Sequence, residues 1–196
     1  MRYSKSSSWA VSLRLTSQGL LTALYIREAA ALAPNMDYYL PALDERVNSH
    51  AMGSASERAA AEEQWRLLWG RLIDGDETLR GLIAPEFTAL TGMPEMLVIT
   101  ASLYDEARQF SGERKRRASI EWSAGSLLDF EGKAVRNLER GRGQPAGPFK
   151  LEIVELPVVG RWFVRSDKGR LLVSTRLRRD LKAYLDVLRP IIIELM

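Results

Sequence analysis

Phe149-Lys150-Leu151-Glu152-Ile153-Val154, then Arg161–Ser166 and Arg170–Thr175 around Asp167-Lys168-Gly169, is the stretch whose reading decides the fold of this chain. Phe149, Leu151 and Ile153 alternate with Lys150, Glu152 and Val154, the period of two that marks a strand with one apolar face. Asp167 early in a loop and Gly169 at its left-handed position are the residues that a three-residue hairpin needs. Three strands in succession therefore predict an antiparallel meander.

Working outward, Leu177, Leu181, Tyr184, Leu185, Leu188, Ile192 and Leu195 share one helical face after the meander. Pro190 is expected to kink that helix or split off Ile191–Met196. Before the meander, Gly141–Pro148 reads as a linker. At the other end, Trp9, Val11, Leu13 and Leu15 alternate with polar or small neighbours. This early strand can join the late sheet, so that the two ends of the chain meet.

The middle reads as helical. A helix over about 18–32 follows Ser17, and a short helical piece is expected around Tyr38–Val47. Ser54 and Glu57 have capping-box spacing ahead of a helix bearing Ala61, Trp65, Leu68, Trp69, Leu72 and Ile73, which Asp74-Gly75-Asp76 ends. Pro94 opens a further helix to about residue 110. Gly112–Arg117 reads as a charged connector, and Ala118, Ile120, Trp122 and Ala124 as a short strand. Residues 126–140 fit either a helix or part of a hairpin turning at Ala124-Gly125. The whole predicts one helix-rich α+β domain spanning residues 1–196. It has a four- or five-stranded, mostly antiparallel sheet and helices mainly on one face.

Charge divides this domain into an acidic helical part, about 17–110, and a basic part, about 111–196. The net charge is +3 over 196 residues. Residues 1–107 hold nine cations against fourteen carboxylates, and residues 108–196 hold nineteen against eleven. Arginine supplies 22 of the 28 cations, a residue suited to bidentate contacts with carboxylate or phosphate. Arg114-Lys115-Arg116-Arg117 is the one dense basic run. With Arg140 and Arg142 it forms the candidate anion-binding set.

Several chemistries are excluded by composition. There is no cysteine and one histidine, His50, which removes thiolate zinc sites, cysteine nucleophiles and any site needing two histidines. No nucleophile elbow accompanies a serine, and Gly141–Gly147 lacks the Gly-Lys-Ser/Thr of a phosphate loop. Asp74, Asp76 and Glu77 crowd together, but a helix–glycine–helix junction accounts for them better than a calcium loop does. Glu62 and Glu63 are adjacent, so on a helix they point about 100° apart and cannot serve one substrate atom. No catalytic residue, metal or cofactor is therefore expected.

The expected function is a non-enzymatic binding or adaptor protein acting on another protein. One alternative is a nucleic-acid-associated regulator using the basic C-terminal half. The other is an enzyme whose carboxylates converge only once folded. Helix 94–110 bears three carboxylates and one arginine, which is wrong for a groove lined by phosphate. With no apolar export segment and no membrane-length apolar run, a cytoplasmic protein without membrane contact is expected. The three isoleucines at 191–193 point in three directions, more than one packed face covers, and favour a symmetric homodimer.

Overall fold

The computed structural model describes residues 8–15, 17–50, 53–75, 82, 84–123 (backbone only for 121–123) and 129–196. Within them the chain is α+β, with six α-helices and an open four-stranded sheet. The strands are β1 (Ala10–Arg14), β2 (Lys150–Leu156), β3 (Phe163–Ser166) and β4 (Arg170–Ser174). The helices are α1 (Gln18–Ala29), α2 (Ala55–Ile73), α3 (Pro94–Ser123), α4 (Phe130–Arg142), α5 (Thr175–Arg179) and α6 (Leu181–Leu195).

The sheet order is β1-β2-β4-β3. β1 does pair with the late strands, Ala10 opposite Lys150, but in parallel. β2 and β4 are parallel too, and only the β3–β4 hairpin is antiparallel. The sheet is thus mixed and mostly parallel, not the antiparallel meander expected. The hairpin itself forms as read, with Gly169 at φ 76. The difference arises because β4 inserts between β2 and β3, which puts the hairpin's second strand beside β2. Segment 157–162 must then cross over the end of β4.

That crossing is held from both sides. Leu43 forms an isolated bridge with Val158, and the Val159 N–H donates to the Ala42 carbonyl at 2.9 Å. The indole N–H of Trp162 donates to the Tyr39 carbonyl at 2.7 Å. Tyr38–Val47 consequently forms no helix; its backbone serves the crossing loop instead. The fully buried Ser174 hydroxyl does the rest. It accepts from the Trp162 and Leu177 N–H groups at 3.0 and 3.1 Å and donates to the Gly160 carbonyl at 2.8 Å.

Helices cover both faces of the sheet, which corrects the one-face expectation. Val154, Leu156 and Leu172 pack with α1, α2 and α3, whereas Leu151, Ile153, Leu171 and Val173 pack with α4, α5 and α6. The physical reason is that Ile153-Val154 and Leu171-Leu172-Val173 are apolar on consecutive residues. A strand so composed needs cover on both sides.

The first layer centres on Trp65 and Trp69 of α2, stacked at 5.2 Å and fully buried. Their indole N–H groups reach the Ala23 carbonyl at 2.8 Å and the Tyr38 hydroxyl at 2.7 Å. Ser54 and Glu57 form the reciprocal capping box that the sequence indicates. In place of the expected connector and strand, α3 runs unbroken for 30 residues, about 45 Å at 1.5 Å per residue. Gly112 costs the helix roughly 1 kcal/mol, which the flanking helix formers Glu113–Arg117 tolerate. The possible hairpin turn at Ala124-Gly125 lies outside the described residues.

In the second layer α6 continues through Pro190. The carbonyl that the proline leaves free, that of Asp186, is on the exposed side of α6 where water can serve it. Ile191 and Ile192 are buried within the chain and Ile193 is 44% exposed, so a second copy is not required to cover all three. Among the described residues no helix is long and apolar enough to cross a membrane.

Ser174→Ala removes the α5 cap and both bonds to the crossing loop. It should lower stability by about 2–3 kcal/mol, read as a lower urea midpoint at unchanged slope.

Candidate functional site

Helical geometry divides the basic run. Because residues 114–117 lie within α3, Arg114 and Arg117, three apart, share one side and Lys115 and Arg116 share another. On the first side Arg114 pairs with Asp44 and, at 2.9 Å, with Glu45, while its guanidinium lies 5.4 Å from the centre of the Phe110 ring. Arg117 reaches Glu45 at 3.4 Å. These two cations are already neutralised by the loop that braces Val158.

On the other side Lys115 and Arg116 join Arg108 along an open cleft of about 780 Å³ between α1 and α3. Gln18 and Leu21 of α1 form one wall; Asp105, Gln109, Ser111 and Gly112 complete the α3 wall. Arg108, Lys115 and Arg116 are exposed and make no ion pair among the described residues. Asp105 is the one carboxylate in the lining. A Cβ built at Gly112 would meet nothing within 4 Å, so the glycine leaves this wall open.

The walls are held in register by the α1–α3 seam. The Tyr25 hydroxyl donates to Glu106 at 2.7 Å, and its ring packs 5.3 Å from that of Phe110. Burial first, then the Glu106 carboxylate, pushes the Tyr25 phenol up to about 12. Beneath the cleft the buried hydroxyls of Thr22 and Ser111 lie 3.5 Å apart.

The remaining members of the candidate set lie elsewhere. Arg140 and Arg142 occupy the last turn of α4, on the opposite face of the sheet from α3. Arg140 donates to the Arg136 carbonyl at 3.4 Å and to the Asn137 side chain. The structure therefore brings Lys115 and Arg116 together with Arg108, which the sequence reading did not select. The signal was the i, i+7 and i+8 spacing of 108, 115 and 116, legible only once 112–117 is read as helix.

Carboxylates do converge in one place. Glu131 of α4 and Glu155 of β2 meet Arg178 of α5, at 3.3 and 3.5 Å, and the Tyr184 hydroxyl donates to Glu131 at 2.9 Å. Burial and the neighbouring Glu131 raise the Tyr184 pKa. Glu131, Arg178 and Tyr184 are all buried, and none of the four described clefts is lined by them. This cluster ties four elements together. His50 is exposed, and its backbone N–H donates to the Ala29 carbonyl at 2.7 Å. Asp74 is bound by Ser166 at 2.7 Å and by Lys168 at 3.5 Å; Asp76 and Glu77 lie outside the described residues.

Compared with family models, with curated proteins and with solved structures, the chain shows no significant match to any. The geometry alone carries the functional reading.

Two measurements test this description. Arg114→Gln strips the partner from Asp44 and Glu45 and should cost about 1 kcal/mol in denaturant unfolding, because Arg114 braces a loop. A raised phenol pKa stabilises the fold fully below the usual value of 10.0, and that stability is lost as pH rises toward about 12. Absorbance titration of phenolate should show a step near 12 that disappears in Tyr25→Phe.

Proposed function

We propose that this protein is a non-enzymatic binding protein that takes an acidic segment of another protein into the α1–α3 cleft. The observation that carries the reading is the convergence of Arg108, Lys115 and Arg116 on one open cleft of about 780 Å³ with no ion pair of their own among the described residues. Two arginines and a lysine so placed can engage two or three carboxylates, with Gln18 and Gln109 available as polar contacts to peptide groups.

The arrangement favours a short acidic peptide over nucleic acid. A nucleic-acid surface presents a stripe of cations that tracks a phosphate backbone. Here the stripe is cut: Arg114 and Arg117 are neutralised by Asp44 and Glu45, and Asp105 stands inside the cleft. Glu95 and Glu106 continue the negative charge along the first half of α3. A compact anionic ligand fits three cations in a cleft; an extended polyanion would have to pass these carboxylates.

The test is fluorescence anisotropy with a labelled polyglutamate peptide, beside a labelled duplex of random sequence. The peptide should bind, and Arg108→Gln/Lys115→Gln/Arg116→Gln should weaken it by roughly tenfold or more without moving the urea midpoint. Affinity for the duplex exceeding that for the peptide, falling steeply with salt and lost in the same triple variant, would transfer the cleft to nucleic acid. Peptide affinity unchanged in the triple variant would remove the site.

A further inference from the structure

A second groove lies on the opposite face of the sheet, between α4 and α6. Phe130, Ala134 and Leu138 of α4 face Leu185 of α6 across a groove of about 400 Å³, with Lys133 and Asn137 on one rim and Arg189 on the other. We infer that this groove docks an acidic amphipathic helix of a partner protein.

Three features point to that occupant. First, Phe130, Ala134 and Leu138 recur every four residues, an apolar row with Leu185 opposite it. Such a row receives side chains that an incoming helix offers at i, i+3, i+4 and i+7. From Phe130 to Leu138 it spans about 12 Å at 1.5 Å per residue, two turns of a docked helix. Second, the rims are cationic on both helices, so acidic residues flanking an apolar stripe find a partner on either side. Arg189 and Lys133 make no direct ion pair among the described residues; Asp129 is bound by Arg136 at 2.7 Å and feels the charge of Lys133 only at longer range.

Third, the surrounding charge selects against a second copy of the chain. Lys133, Arg140, Arg142, Lys182 and Arg189 are exposed on α4 and α6. Against them stand Asp186 and the half-buried Glu139, which accepts from the Trp9 indole and the Ala146 N–H, since Glu194 is bound by Arg165 at 2.6 Å and Glu131 is buried. A two-fold contact sets the same patch against itself, which here opposes like charges. An acidic helix is complementary where a twin is not. This surface rests on observations separate from those at the α1–α3 cleft and goes beyond the reading proposed for it.

The experiment uses three labelled helix-forming peptides and the full chain carrying Arg108→Gln/Lys115→Gln/Arg116→Gln, so that the α1–α3 cleft takes no share of the acidic peptides. One carries leucines at i, i+3, i+4 and i+7 with glutamates elsewhere; the second has lysines for the glutamates; the third has serines for the leucines. The glutamate–leucine peptide should bind, and the other two should bind at least about tenfold more weakly. Lys133→Glu/Arg189→Glu should weaken the glutamate–leucine peptide about tenfold or more and strengthen the lysine–leucine peptide, an inversion that loss of folding cannot produce. Leu185→Ser should weaken binding. Equal affinity for the leucine and serine peptides, or for the glutamate and lysine peptides, overturns the inference. So does a solution dimer that Lys133→Glu/Arg189→Glu dissociates, since the face would then belong to a second copy.

Discussion

Every residue of β4 is buried, and the architecture turns on that fact. A strand with Leu171 and Val173 toward one side and Leu172 toward the other cannot sit at an edge or face water. It must lie between two strands and between two layers of helices. β2 and β3 supply the first pair of neighbours; the tryptophan-centred layer and the α4–α6 layer supply the second. The cost is topological, because the chain leaving β2 has to pass over the end of β4 to reach β3. Ser174, at that end, uses one hydroxyl to fasten the crossing segment and to start α5. A single buried polar atom thus fastens the crossing segment and caps α5.

How much of this was legible follows from what each residue reports. Turns and caps are local, so Gly169 and Ser54 with Glu57 marked their elements directly. Strand partners are not local. A hairpin loop fixes β3 against β4 but is silent on which of the two meets β2, and the short link from Leu156 to Phe163 favours the wrong neighbour. The doublet Ile153-Val154 and the triplet Leu171–Val173 carried the evidence for cover on both faces; alternation at Lys150 and Glu152, near the strand's exposed start, masked it. For α3 the misleading residue was Gly112. Glycine followed by four cations resembles a solvated connector, and only the packing of Phe110 and Arg114 against α1 and the loop at Asp44 keeps the helix going. The candidate site shared that fate: its residues were half in view, but their grouping depends on a helix that Gly112 concealed.

The arginine-rich composition also resolves into two populations. Arg27 donates to the Pro41 carbonyl at 2.6 Å, Arg170 to the Leu72 carbonyl at 2.7 Å, and Arg178 lies between Glu131 and Glu155. Arg27, Arg170 and Arg178 are buried, and each joins segments distant in sequence. A planar guanidinium with five donors can satisfy several carbonyls and a carboxylate at once, which lysine cannot. These three arginines act inside the fold and say nothing of ligands. The cations that bear on ligands are the exposed ones that line a cleft: Arg108, Lys115 and Arg116 on α3, and Lys133 and Arg189 across α4 and α6.

These two exposed groups stand on opposite faces of one sheet. Between them lie two hydrophobic layers, and no residue lines both the cleft and the groove. Sites so separated, sharing no side chain, are energetically independent to within a few tenths of a kcal/mol. Occupation of the proposed cleft then neither requires nor excludes occupation of the proposed groove. That independence is the property an adaptor needs. Two acidic partners, each too negative to approach the other, can be held on opposite sides of a rigid basic scaffold, and the sheet that β4 forces into the middle of the molecule is what keeps the two surfaces apart.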